Sequence, residues 1–246
     1  MAGSKERLDL LVVERGLAET RARAQALILA GSVVVGDQRV DKPGTRVAVD
    51  AEIRLKGEVA RFVSRGGDKL DAALEHFRLE VKGAVCADIG ASTGGFTDCL
   101  LQRGAKKVYA LDVGHAQLHQ KLRTDPRVLS SEGINARSVS ELELPELVEV
   151  MVADVSFISL KTVLPACVKR IAPKGLLVTL VKPQFEVGKD AVGKGGVVRD
   201  EKARAAAIEG VRKFVADLGF EIIGIIDSPV HGPKGNVEAL LAARKR

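Results

Sequence analysis

One stretch limits what this chain can fold into more than any other: Asp88-Ile-Gly-Ala-Ser-Thr-Gly-Gly-Phe96. It follows the apolar run Val85 to Ile89 and leads into a helical pattern from Thr97 to Gln102, so its glycines occupy the turn between a buried strand and a helix. Open α/β sheets bind their ligands at such turns, beyond the carboxyl ends of the strands. Further apolar runs follow at Lys107 to Leu111, Arg127 to Leu129, Val150 to Ala153, Leu176 to Val181 and Glu221 to Ile226, with helical stretches between them that include Asp200 to Leu218. Asn236 to Leu241 reads as a last, antiparallel strand. The alternation predicts a Rossmann-like, doubly wound α/β sheet over residues 65–246, preceded by a connector at 60–64 and a small α+β unit at 1–59.

The glycine spacing narrows the ligand. A dinucleotide fingerprint is Gly-x-Gly-x-x-Gly, with the next helix aimed at a pyrophosphate. Here the pattern is Asp-x-Gly-x-x-x-Gly-Gly-Phe, which resembles the loops of S-adenosylmethionine sites, where backbone approaches a methionyl group and no pyrophosphate is held. Asp88, Gly90, Ser92, Thr93, Gly94, Gly95 and Phe96 are therefore candidate cofactor-binding residues. Asp112 closes the second strand at about the 20-residue distance where an acidic side chain takes ribose hydroxyls. Asn135, past the third strand, is a candidate for the adenine side. The competing reading is a tight turn that binds nothing.

The small unit has its own grammar. Arg7 to Gly16 reads as an amphipathic helix with Leu8, Leu11 and Val12 on one face; Thr20 caps a second helix, Arg21 to Ala30, that stops at Gly31. Two β-branched runs flank Gly36-Asp37 as a hairpin, and a further strand lies near Val47 to Leu55. Arg7-Leu8-Asp9, Thr20-Arg-Ala-Arg-Ala-Gln25, Ala30-Gly31-Ser-Val33 and Val40-Asp-Lys-Pro-Gly44 together resemble S4-type RNA-binding domains. Arg21 and Gln25 share a helix face, while Arg7 and Arg15 lie two turns apart on the first helix, and guanidinium groups suit two-pronged phosphate contacts. Arg23, Lys42 and Arg65 complete the candidate RNA-binding set. Charge alone does not single this unit out, since its first 60 residues hold ten Lys/Arg against nine Asp/Glu. A solvated helix face without a partner is the alternative.

Four polar residues mark the catalytic half. Lys69 lies in Ser64-Arg-Gly-Gly-Asp-Lys-Leu70, Asp154 ends the fourth strand, Lys182 ends the fifth, and Glu238 falls in the last. Strand ends of such a sheet face the cofactor crevice, so Asp154 counts as a cofactor candidate too. A Lys-Asp-Lys-Glu set suits methylation of a ribose hydroxyl, which must lose a proton as it reacts. Free lysine, with a pKa of about 10.4, is almost wholly protonated at neutral pH, and burial or a second ammonium favours the amine. The expected base is Lys182 with Lys69 close by, Asp154 and Glu238 orienting the amines. Taken singly, each could be a surface ion-pair residue.

Composition excludes several classes. A hydrophobic content of 46% with 28% charged residues fits a soluble globular chain, and no run reaches the roughly 18 apolar residues of a membrane span. Met1 to Glu6 has no apolar signal core, which predicts a cytoplasmic protein. The net charge of +6 favours an anionic partner such as nucleic acid. Cys86, Cys99 and Cys167 lack any paired spacing and read as core thiols. His115 and His119, at helical spacing, have no third ligand, so no metal is expected. Phe185 to Val198, rich in glycine and carrying Lys189 and Lys194, predicts a mobile loop that closes over a target nucleotide with Phe185 available to stack, or else a plain connector.

With Val63-Ser-Arg-Gly-Gly-Asp-Lys69, Asp88 to Phe96, Asp154-Val-Ser-Phe-Ile-Ser159, Val181-Lys-Pro-Gln-Phe-Glu186 and Gly235-Asn-Val-Glu238 added to the S4-like arginines, the chain resembles the TlyA (haemolysin A) family from Arg7 to Leu241. That resemblance implies an S4-type domain joined to an FtsJ-like, S-adenosylmethionine-dependent methyltransferase. It places the family's Lys-Asp-Lys-Glu tetrad on Lys69, Asp154, Lys182 and Glu238. It implies ribosomal RNA, or ribosomal subunits, as partner and 2'-O-methylcytidine as product. The ends of the chain lie near the domain edges, like the shorter family form, which implies the large subunit as substrate. The alternatives are a membrane-active haemolysin, ill-suited to a chain with one Tyr and no Trp, a non-catalytic ribosome-assembly factor, and a small-molecule methyltransferase.

Overall fold

The computed structural model describes residues 4–36, 38–56, 61–140, 143–188, 191–193, 195–232 and 234–246. The chain forms two compact units, Met1–Ala60 and Arg61–Arg246.

In the first unit, β1 (Lys5–Arg7) runs into α1 (Leu8–Glu14), followed by α2 (Arg21–Leu29), β2 (Val33–Val35), β3 (Gln38–Arg39), β4 (Arg46–Ala48) and β5 (Ile53–Leu55). The Thr20 side chain accepts from Arg23 N at 3.2 Å and starts α2 as the sequence predicts. The expected hairpin is present as antiparallel β2–β3, and β2 also pairs with β5. The strand expected near Val47 to Leu55 divides in two, because β4 pairs instead with β1. Leu8, Leu11, Val12, Ala24, Ile28, Val33 and Ile53 form the core.

The second unit holds α3 (Gly66–His76), β6 (Val85–Ile89), α4 (Gly95–Gln102), β7 (Lys107–Leu111), α5 (Gln120–Arg123), β8 (Val128–Ser131), β9 (Val148–Ala153) and α6 (Leu160–Cys167). It continues with β10 (Ile171–Val181), α7 (Pro183–Glu186), α8 (Glu201–Asp217), β11 (Phe220–Asp227) and β12 (Ala239–Lys245). These strands form one seven-stranded sheet in the order β11-β12-β10-β9-β6-β7-β8. The strands from β10 to β8 are parallel neighbours, and β12 enters antiparallel between β10 and β11. Strand alternation sends Cys86, Val108, Val150 and Val178 to the face covered by α3 and α4, and Ala87, Tyr109, Met151 and Leu177 to the face covered by α6 and α8. Both faces are thus buried, as a doubly wound sheet requires.

Phe62, in the stretch expected as a connector, is 3% exposed and packs in the core of this unit. Glu238 precedes β12 and does not lie within it. His115 and His119 fall in an irregular stretch after β7, and His119 caps α5 by accepting from Lys121 N. Among the described residues no group of His, Cys, Asp or Glu is placed to hold a metal ion. The three cysteines are buried free thiols, each pushed up to about 12 by burial. No described helix is long and apolar enough to cross a membrane.

Asp200 caps α8, accepting from Lys202 N at 2.8 Å and Ala203 N at 3.3 Å. Asp200→Ala should cost about 1 kcal/mol of stability, the usual value of such a cap, measured as a lowered urea midpoint with unchanged slope.

Candidate functional site

One switch in strand order creates the crevice. β6 lies between β7 and β9, so the chain leaving β6 and the chain leaving β9 diverge, and the gap between them opens at the carboxyl edge. Gly90 follows β6 there with φ +83°, and a Cβ on it would lie 2.7 Å from Asp154 O, so only glycine permits this turn against the β9 exit. Gly95 serves packing: a Cβ there would meet Ser64 Oγ at 2.2 Å and Gly67 N at 2.8 Å, which lets the start of α3 lie directly on the loop. Val63 N donates to Asp98 Oδ2 at 2.9 Å and fixes that approach.

A cavity of about 530 Å³ opens beside the loop, lined on one side by Asp112 and on the other by Ile134, Asn135, Val155 and Val163. A second, of about 210 Å³, is lined by Arg65, Lys69, Thr93 and Phe96, and the two share Gly90, Ser92 and Asp154 as walls. Asp112 Oδ2 accepts from Ser92 N and Oδ1 from Gly114 N, each at 2.7 Å, which fixes the carboxylate at the cavity wall. Asn135 lines the same cavity while its Oδ1 accepts from Arg137 N at 3.1 Å. Gly94 opens α4 and Phe96 is buried.

Asp88 lies wholly inside the sheet. Thr97 Oγ1 donates to its Oδ2 at 2.7 Å, and its Oδ1 has no hydrogen-bond partner. Burial pushes its carboxyl up to about 7; the Thr97 bond opposes this, and the neighbouring Asp154 and Asp112 add to it. The two carboxylates on the crevice walls, Asp112 and Asp154, would repel a pyrophosphate and suit a ligand with a cationic centre and a diol.

The four tetrad candidates meet here as two ion pairs. Lys69, on α3, lies 2.5 Å from Glu238 Oε2, both side chains almost fully buried. Lys182 Nζ lies 2.6 Å from Asp154 Oδ1 and donates to Ser156 Oγ at 2.7 Å. The Asp154 contact is a charge contact without hydrogen-bond alignment, and that buried oxygen has no hydrogen-bond partner. Each lysine thus has one of the two carboxylates as its partner, Glu238 for Lys69 and Asp154 for Lys182. Glu238 reaches this edge because β12 is reversed, so the residue entering it lies where the parallel strands end.

Sequence reasoning gave no role to Ser156 or Phe157. Phe157 has φ +63°, is 91% exposed, and its ring centroid lies 5.3 Å from that of Phe185 on α7. Glu186, at the end of α7, accepts from Ser159 Oγ and Leu160 N at 2.7 Å each, tying the turn after Lys182 to the loop after Asp154; burial raises its carboxyl. Only the motif strings pointed to these residues. Of the glycine-rich stretch, Lys189 and Lys194 lie outside the described residues. Its far end is clasped by the buried Asn236, which accepts from Val198 N at 3.0 Å and donates to Gly196 O at 2.9 Å.

In the first unit, Arg7, Arg21 and Gln25 converge on the buried Asp9. The Arg7 guanidinium above all, with Gln25 and Arg21, holds the Asp9 carboxyl well below the usual carboxylate range. Arg15 does not share this cluster: it donates to Val49 O and Ala51 O and staples the turn between β4 and β5. Arg23 and Lys42 are exposed, as is Arg65 in the second unit.

The FtsJ-like methyltransferase family matches residues 62–245, and the S4 domain matches residues 6–53. The Mycobacterium tuberculosis 16S/23S rRNA (cytidine-2'-O)-methyltransferase TlyA is 46% identical over 98% of this chain and 90% of its own. Hemolysin A of Brachyspira hyodysenteriae is 44% identical over 95% of this chain and 98% of its own. A solved Streptococcus thermophilus structure carrying the name hemolysin superposes with a TM-score of 0.77 at 46% identity, covering 99% of this chain and 90% of that one.

The Asp88 carboxyl generates a pH prediction. Its folded value lies above its ordinary 3.8, so the fold favours the protonated form; that stability is full below the unfolded value and is lost as pH rises through about 7. Asp88→Asn should therefore gain stability relative to the parent between about pH 5 and about pH 8 in urea titrations of ligand-free protein. A constant difference across that range would show the carboxyl already ionised at the lower pH.

Proposed function

The chain belongs to the FtsJ-like methyltransferase family, and from that premise we propose that it is an S-adenosylmethionine-dependent RNA methyltransferase acting on the 2'-hydroxyl of cytidine in bacterial ribosomal RNA. The observation that carries this reading is the pair of ion pairs, Lys69–Glu238 and Lys182–Asp154, gathered at the mouth of an acid-lined crevice. S-adenosylmethionine, when bound, supplies an electrophilic methyl group on a positively charged sulfur. Asp112 would hold its ribose diol, Asn135 with Ile134 and Val163 would frame its adenine, and the Asp154 carboxylate would face its cationic end.

Lys182 takes the proton of the 2'-hydroxyl, with Asp154 and Ser156 fixing the direction of its amine. Lys69, held by Glu238, is the second positive group, placed to steady negative charge growing on the hydroxyl oxygen. The exposed Phe157 ring, with the half-buried Phe185 against it, offers a surface beside Lys182 on which the target nucleotide stacks. The first unit, with its S4 match, holds the RNA through Arg21 and its neighbours. Partner and localisation follow from this reading: ribosomal RNA or ribosomal subunits, in the cytoplasm. The hemolysin name among the relatives finds no described helix able to span a membrane.

Incubation with tritiated S-adenosylmethionine and separated ribosomal subunits should label the 2'-O-position of cytidine; label absent from RNA would sink the reading. Calorimetry should show Asp112→Ala binding the cofactor about tenfold or more weakly, while NAD shows no binding. Lys182→Arg should lose at least about a hundredfold in kcat, the lower range for a general base, because arginine keeps the charge and cannot give up its proton. Substantial turnover by that variant would move the base to Lys69 or to a water on Asp154.

A further inference from the structure

We infer that Asp9 is a positioning residue for RNA binding, which divides the labour of the arginines around it: Arg21 grips phosphate end-on, and Arg7 is spent holding the carboxylate. The inference rests on the RNA-methyltransferase reading above and assigns roles within it. Asp9 is wholly buried, yet its carboxylate accepts four hydrogen bonds from side chains that reach the surface. Arg7 gives it both Nε at 2.9 Å and Nη2 at 3.0 Å, which uses the side-on fork of that guanidinium. Arg21 gives only Nε, at 2.9 Å. Among the described residues nothing accepts from Arg21 Nη1 or Nη2, and its side chain is 52% exposed.

The consequence is geometric. A guanidinium anchored through Nε has its two terminal nitrogens directed away from the anchor, both available to two oxygens of one phosphate. Gln25 Nε2, at 2.9 Å from the same Asp9 oxygen, stops the carboxylate from turning toward either arginine alone. Ordering a long side chain before RNA arrives removes part of the entropy otherwise lost on binding. Asp9 thus gives up local positive potential and gains a fixed direction for Arg21.

This separates positioning from plain charge by the sign of an effect. Asp9→Asn raises the net charge of the patch by one, so a charge-only footprint would bind RNA more tightly, with a steeper salt dependence. Positioning requires the reverse: about tenfold weaker binding to 23S ribosomal RNA, with S-adenosylmethionine affinity unchanged by calorimetry. Arg21→Lys keeps the charge and leaves Arg7 and Gln25 on Asp9, yet one ammonium cannot both hold the carboxylate and present two forked donors. It should also bind about tenfold more weakly, and it carries the test if Asp9→Asn fails to fold by thermal melting. Arg21→Lys binding as the parent does, or folded Asp9→Asn binding more tightly, overturns the inference and leaves the methyltransferase reading intact. A parent protein that takes up S-adenosylmethionine but neither binds nor methylates ribosomal RNA overturns both.

Discussion

A sheet covered by helices on both faces has no room for polar chemistry except at its ends, and the placement of almost every candidate residue follows from that. Along β6, β7, β9 and β10 the side chains alternate between two apolar layers, so a charged group within a strand would meet hydrocarbon on either side. Asp112, Asp154 and Lys182 come immediately after strands, and Glu238 immediately before a reversed one. Asp88 is the exception, and its raised carboxyl is the physical cost of standing inside the sheet. The two ion pairs differ in the same terms. Lys69–Glu238 is almost fully buried, with only Lys69 reaching the cavity, so loss of either partner strands a buried charge, while Lys182–Asp154 is more exposed.

Much of this was legible because it was local. The glycine loop, the strand before it and the helix after it are contiguous, and Asp112 follows at a spacing the turn geometry dictates. The cap at Thr20 and the hairpin at Gly36 are likewise written within a few residues. What was not legible is pairing across long separations. Lys69 and Glu238 are 169 positions apart, and no periodicity announces that they touch. The motifs named four residues while saying nothing of which carboxylate each amine would choose. The last strand shifted toward the C-terminus because its register is set by β10 and β11, with Ala239 opposite both Val181 and Asp227.

In the small unit the sequence placed Arg7 and Arg15 on one helix as equivalent candidates, and the structure gives them different work. Arg7 precedes α1 and turns back to Asp9; Arg15 follows it and secures two carbonyls. A near balance of acidic and basic residues hides a division among them, since one buried carboxylate organises two surface cations. Counting charges detects neither, because it treats an arginine committed to backbone carbonyls and one facing solvent as the same.

The clasp at Asn236 fixes where the glycine-rich segment returns to the body, two residues before the buried Glu238. With the near end secured by α7 through Glu186, the chain between becomes a loop closed at both feet. The entropy of such closure grows only logarithmically, about 0.6 kcal/mol for each doubling of length. Insertions or deletions there therefore leave the tetrad's geometry almost untouched while reshaping whatever surface the segment presents. The catalytic frame and its rim are thus free to diverge at different rates.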